Sequence, residues 1–189
     1  MRKSHIDYIR EMVEGIKIGE IPIIPPDRFF EYQPPLDGIQ EKISCAILKY
    51  SEPTNTLGRK IKHRLERIVR GNSVFLKNAV CHAKQEFKYT VDFWLNEPDA
   101  DVISSVVNRG ILDQCLLFVS LRTWIKSEEQ IPILVRLGKT GLVDDPAKET
   151  GNYKLYVEII FKDGLYTIEE EETLAGVELE VEGSGIEGV

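Results

Sequence analysis

Cysteine, methionine and tryptophan are all scarce in this chain, and one sign of charge is missing from a whole segment. Among 189 residues there are three cysteines, Cys45, Cys81 and Cys115. Their odd number and the lack of metal-type spacing argue against a disulfide framework and against a zinc site. The histidines, His5, His63 and His82, are not set at metal-binding spacing with one another or with a cysteine, so neither a metal nor another cofactor is expected. No run approaches the ~18 to 20 apolar residues that a membrane helix requires, and no membrane partner is expected. The start, Met1 to Arg10, is charged and lacks a following apolar segment. A secretory signal is therefore not expected, and the cytoplasm is the expected compartment.

Two nucleotide motifs also fail. Gly138-Lys139-Thr140 has the ending of a phosphate-binding P-loop, but Ile133 stands where the backbone cradle needs a glycine. Gly183, Gly185 and Gly188 spell a formal G-x-G-x-x-G with no helix to follow, so the helix N-terminus that would hold a pyrophosphate is not expected. What is present is a globular composition, 42% hydrophobic with seven Tyr and seven Phe for burial. That excludes a mainly disordered chain and fits one domain with appendages.

The formal net charge of −7 conceals an uneven distribution. Nine of the 31 acids lie in residues 163 to 189, which contain no Lys or Arg, so 22 acids face 24 bases in the remainder. The bases cluster: Arg59, Lys60, Lys62, Arg64, Arg67 and Arg70 are opposed locally only by Glu66. Such a cluster is either a solvated face or a local positive field for nucleic acid.

Periodicity gives the expected elements. His5 to Lys17 reads as an amphipathic helix through Ile6, Ile9, Met12, Val13 and Ile16. Gly19 to Gly38, with five prolines, reads as an extended connection. Ile43 to Tyr50 reads as a buried strand. A helix is expected from about Thr54 to Gly71, with Leu57, Ile61, Leu65, Ile68 and Val69 as its apolar stripe and the bases on the rest of its surface. Phe87 to Leu95 alternates as a half-buried strand, Pro98 and Asp99 start a second helix, and Cys115 to Leu121 suits either helix or strand. Ile131 to Leu137 alternates into a glycine loop, Gly138 to Gly141. Tyr153 to Phe161 alternates into a hairpin turn at Asp163-Gly164, and Val177, Leu179 and Val181 alternate with glutamates near the end. The order predicts an α+β fold, a ferredoxin-like (RRM-like) β-α-β sandwich. It divides into an N-terminal helix and Pro-rich segment (1–42), the sandwich (43–162) and an acidic hairpin and tail (163–189).

Chemistry-bearing residues are few. His82 adjoins Cys81, but neighbours on a strand point to opposite faces. His63, among the bases, reads first as an exposed helix histidine, with a general acid or base acting on RNA as the rarer alternative. Asp99/Asp101 and Asp144/Asp145 read as a helix cap and a turn. Trp94 and Tyr156 lie opposite the apolar stripes of their strands beside Lys88 and Lys154. There they are placed to stack bases, unless the Pro-rich segment or a partner subunit covers that face.

Three segments together resemble the CRISPR-associated RAMP superfamily. They are Thr56-Leu57-Gly58-Arg59-Lys60-Ile61-Lys62-His63-Arg64-Leu65-Glu66-Arg67, the β-α unit from Phe87 through Val107, and Ile133-Leu134-Val135-Arg136-Leu137-Gly138-Lys139-Thr140-Gly141. The pattern departs in lacking a Pro-Gly-Ser before the first helix and in opening with a helix instead of a strand. The resemblance implies a noncatalytic, ferredoxin-like subunit gripping guide RNA (crRNA) near its 5′ tag, in a hetero-oligomer with other CRISPR effector subunits. By that resemblance, the RNA-binding residues are Arg59, Lys60, Lys62, His63, Arg64, Arg67 and Arg70, with Arg136, Gly138, Lys139 and Gly141 as a second contact. Subunits that cleave target RNA carry an acid in an early loop, a place that Asp27 or Asp37 would fill. Two alternatives stand beside this: a guide-processing ribonuclease using His63, and an assembly protein, viral assemblies included, that binds no nucleic acid.

Overall fold

The computed structural model describes residues 3–35, 44–56, 60–96, 100–115, 118–122, 130–144 and 152–173. Among these residues it is an α+β structure in which one large antiparallel sheet carries two α-helices on a single face. The elements are α1 (Lys3–Glu14), β1 (Lys17–Ile18), β2 (Ile21–Pro22), a 3-10 turn (Pro26–Arg28), β3 (Phe29–Phe30), β4 (Cys45–Tyr50), β5 (Thr54–Thr56), β6 (Ile61–Arg70), β7 (Ser73–Asn96), α2 (Ala100–Cys115), β8 (Phe118–Arg122), β9 (Gln130–Asp144) and β10 (Asn152–Thr173). The sheet runs β3-β4-β7-β10-β9-β8, with β5 and β6 following β4 along the same edge of β7. Only β3 joins in parallel.

Two very long strands form its spine. β7 has 24 residues and β10 has 22, paired from Asn152↔Asn96 to Thr173↔Val74 with one bulge at Leu165/Tyr166. Odd-numbered residues build the main core: Phe87, Tyr89, Val91, Phe93 and Leu95 on β7, and Leu155, Val157, Ile159 and Phe161 on β10. Each such side chain contributes about 1.5–3 kcal/mol by burial. The expected stripe of α1 (Ile6, Ile9, Met12, Val13 and the following Ile16) and Val107 and Ile111 of α2 cap this face. α2 runs through Gly110, where a Cβ would already touch Ile16 at 3.4 Å.

The largest departure from expectation lies between residues 54 and 71. The expected helix is absent, and Ile61–Arg70 form a strand antiparallel to β7. The two-residue connection Gly71-Asn72 closes the hairpin, since Arg70 pairs Ser73 and Gly71 has φ +63°. Glycine at the first turn position is what a type II′ hairpin needs. Leu65 is the extra residue of a bulge, because Arg64 and Glu66 pair the adjacent Asn78 and Lys77. The bulge shifts the alternation, leaving Ile61, Leu65 and Ile68 at spacings that imitate a helix stripe.

Two expected turns are also strand. Gly138 and Lys139 together oppose Glu158 as a bulge inside β9, which continues to Asp144. Asp163-Gly164 is no hairpin, because both residues stay paired to β7. Gly164 is there for close approach: a Cβ would lie 2.6 Å from the Cys81 sulfur and 2.8 Å from the Ala83 carbonyl oxygen. The boundary drawn at 162/163 thus falls inside β10, and the alternating Val177 to Val181 lies outside the described residues.

Beyond the bulge at Leu165/Tyr166, β6, β7 and β10 are the strands that continue among the described residues, a three-stranded arm of roughly 30 Å, nine residues of β7 at about 3.3 Å each. One face carries a small apolar cluster of Ala79, Cys81 and Tyr166 with Ile61, Leu65 and Ile168 against it.

Cys45, fully buried on β4, has its thiol pushed up to about 11 by desolvation. Between pH 9.0 and about 11 the unfolded chain binds fewer protons at this site than the folded one, so stability falls as pH rises through that window. A rise of that size corresponds to roughly 3 kcal/mol. Urea unfolding of native and Cys45→Ala chains should therefore converge as pH rises from 8 to 11, and parallel pH profiles would refute the assignment.

Candidate nucleic-acid interface

The sheet face opposite the helices is where the candidate residues gather. Directly opposed residues in an antiparallel ladder share a face, so this face is read off in rows. Cys45, Trp94 and Lys154 make one, and Ile47, Asp92, Tyr156 and Gly141 the next. Lys49, Thr90 and Glu158 follow, then Lys88, Ile160 and Arg136, and then Thr54, Glu86, Lys162 and Leu134. Lys84 extends the series opposite Gly164. Six bases, Lys49, Lys84, Lys88, Arg136, Lys154 and Lys162, thus share the face with three acids, Glu86, Asp92 and Glu158.

The acids hold the bases in place. Asp92, 3% exposed, accepts the Lys49 ammonium at 2.6 Å and the Lys154 ammonium at 2.9 Å, both on Oδ2. Glu86 lies 3.7 Å from Lys88, 3.6 Å from Arg136 and 3.9 Å from Lys162. Pairs at such distances on half-exposed side chains are worth little individually. Their effect is to pin five cations over one surface while leaving it net positive.

Trp94 and Tyr156 are half-buried within this array. The Lys154 ammonium sits 5.8 Å from the centre of the Trp94 ring, a cation–π contact. Phe30, from the Pro-rich segment, packs with Trp94 over Cys45 and Ile47, so that segment covers one corner of the face. The Tyr156 ring crosses β9 at Gly141, where a Cβ would lie 2.7 Å from its ring and hydroxyl. Gly138 similarly leaves room for the Glu158 side chain, whose Oε2 accepts the Lys139 N–H at 3.1 Å. The two glycines therefore seat side chains of β10; they do not form the expected contact loop.

The basic cluster is divided. Arg59 lies outside the described residues, and Lys60 is exposed just before β6. Lys62, Arg64 and Arg67 project from β6 as exposed residues. Lys62 hydrogen-bonds Glu171 of β10, which raises its pKa. Arg70 lies 3.3 Å from Glu170 and 5.2 Å from the Phe75 ring centre. No ion pair among the described residues engages Arg64 or Arg67. His63 points the other way, its ring 6.1 Å from that of Tyr166. It lines a cleft of about 420 Å³ with Ile61, Cys81, Lys84, Glu86, Leu134, Lys162 and Tyr166, where the arm meets the body on the same basic face. His82 is exposed, 2.7 Å from the Thr167 hydroxyl, while Cys81 is buried, so the pair does point apart as strand neighbours should. Asp27 is the middle residue of the 3-10 turn and Asp37 lies outside the described residues. Among the described residues no three His, Cys, Asp or Glu side chains form a metal-holding group.

One feature escaped sequence reasoning. His5 is fully buried, its Nε2 3.0 Å from Asp163 Oδ2 and its Nδ1 3.1 Å from the Tyr89 hydroxyl. A carboxylate only accepts, so Nε2–H donates to Asp163, while Nδ1 and the Tyr89 hydroxyl form a second hydrogen bond. Asp163 Oδ1 accepts the Gly164 N–H at 2.6 Å. The ring stacks on Phe161 at 4.2 Å and meets Phe87 edge-on at 5.0 Å. The assembly is closed to solvent, so it works as a fastener between α1 and the sheet.

No known family model matches the chain, and no curated protein matches it. No helix among the described residues is long and apolar enough to cross a membrane.

Proposed function

We propose that this chain is a noncatalytic RNA-binding protein whose sheet face opposite α1 and α2 grips a single strand. The observation that carries this reading is the array of six bases against three acids with Trp94 and Tyr156 among them. A basic surface that follows a backbone, with aromatic rings for bases, is the usual composition of a single-strand site. It supports the reading that the contact face is the sheet, with β6 a secondary contact through Arg64 and Arg67. The test is fluorescence anisotropy of a labelled single-stranded RNA titrated with the chain over a series of salt concentrations. Salt-dependent binding, lost when this face is neutralised, is the expected result.

The narrower reading is a guide-RNA-gripping subunit of a CRISPR effector, and it comes from the sequence resemblance. Of its three segments, the β-α unit corresponds to β7 followed by α2, while the other two are strands without the expected helix and loop. What the structure shares with the expected ferredoxin-like sandwich is the coarser α+β plan, helices on one face of an antiparallel sheet. Sequencing of RNA that copurifies at low salt tests it: a homogeneous short RNA with a repeat-derived end is expected, and heterogeneous cellular RNA would leave only the broader proposal. A ribonuclease using His63 would require cleavage that His63→Ala abolishes.

A further inference from the structure

The arm has two long edges of opposite charge. Along one runs β6, ten residues with no strand partner but β7 among the described residues, carrying Lys62, Arg64, Arg67 and Arg70 against one acid, Glu66. Along the other runs the end of β10, Tyr166–Thr173, which pairs β7 and has already left β9 behind at Lys162. This edge carries Glu169, Glu170, Glu171 and Glu172 and no base.

Charged residues on an edge strand ordinarily prevent edge-to-edge pairing, because a second copy brings the same sign. Here that protection is selective. Two β6 edges repel each other, and so do two β10 edges, which disfavours both two-fold arrangements. A β6 edge against a β10 edge is attractive. Internal pairs consume Lys62 with Glu171 and Arg70 with Glu170, leaving Arg64 and Arg67 on one side and Glu169 and Glu172 on the other. Arg64 and Glu169 both oppose Asn78, so a neighbour continuing the sheet in the same register would set its Glu169 beside this Arg64. The two strands run parallel, since each is antiparallel to β7. The arm also gains from such pairing, because its own apolar cluster is small and Val69 near its tip is 64% exposed.

We propose that the arm is a head-to-tail self-assembly device, in which the basic β6 edge of one copy adds to the acidic β10 edge of the next. Such an interface is heterologous, so it closes into a ring or continues as a filament. It needs no RNA and goes beyond the sheet-face proposal, although Arg64 and Arg67 are also that proposal's secondary contact.

Sedimentation velocity of the nuclease-treated full chain, over a range of concentration and salt, tests it together with two charge-reversed variants. The native chain should associate with rising concentration and dissociate with added salt. Arg64→Glu/Arg67→Glu turns the β6 edge net acidic like β10, Glu169→Lys/Glu172→Lys replaces both unpaired acids of the β10 edge with bases and leaves that edge net neutral, and each should weaken association by about 100-fold through lost attraction and like-charge contact. Mixed in equal amounts, the two variants should associate again, because each now offers the edge the other lacks. That recovery also shows that both are folded. A native chain that stays monomeric, association indifferent to both reversals, or monomeric variants that fail to recombine would each overturn the proposal.

Discussion

Replacing His5 with alanine should destabilise the folded chain by about 4 kcal/mol, near the cost of breaking a buried ion pair or truncating a large core side chain. Three losses combine. The Asp163 carboxylate, fully buried, loses its histidine donor, and the Tyr89 hydroxyl loses its hydrogen bond to the ring. The imidazole that stacks on Phe161 leaves a void beneath the first turn of α1. His5→Phe separates these terms, since it keeps a ring against Phe161 and removes both hydrogen bonds; about 2 kcal/mol of the loss should persist, the desolvation cost of polar groups deprived of a partner. Urea unfolding measures both, as a lowered midpoint at unchanged slope. A loss below about 1 kcal/mol for His5→Ala, the level of an ordinary surface substitution, would mean that the fastener holds nothing.

Half of that arrangement is written plainly in the sequence. His5 stands four residues before Ile9 and seven before Met12, on the apolar stripe of α1, so its burial follows from helical spacing. Its partner does not, because Asp163 is 158 positions away and sits in a pair of residues, Asp-Gly, that locally spells a turn. Local turn chemistry loses there to a ladder that pairs β10 with β7 on both sides of the glycine.

The same competition explains the basic segment. Gly71-Asn72 between two apolar-bearing runs is a hairpin signal, but the bulge at Leu65 breaks the period-two pattern and leaves a convincing helical one. The alternating stretches without a bulge, Phe87 to Leu95 and Tyr153 to Phe161, were legible in both type and face. That is why Trp94, Tyr156, Lys88 and Lys154 could be assigned to one surface from spacing alone. Lys49, Lys84 and Lys162 joined them only through register, and Asp92 was invisible as a buried anchor because its two lysines come from different neighbouring strands.

Neutralising that surface should have a large effect on RNA binding, with a sign that depends on which residue is changed. Lys88→Ala/Arg136→Ala/Lys162→Ala removes three cations that flank Glu86. For single strands each lost phosphate contact lowers the salt slope by about 0.7, so the three together lower it by about 2. Raising salt about fourfold should then weaken the variant about 20-fold less than the native chain, and at low salt the variant should bind correspondingly worse. Asp92→Asn acts in the opposite direction. It removes a buried negative charge that holds Lys49 and Lys154, keeps a side chain of nearly the same shape, and should tighten binding and steepen the slope. A protein using the β6 edge in place of the sheet face would respond to Arg64→Ala/Arg67→Ala and ignore both changes. Opposite responses to the triple variant and to Asp92→Asn are specific to a strand lying across the rows from Glu86 to Trp94.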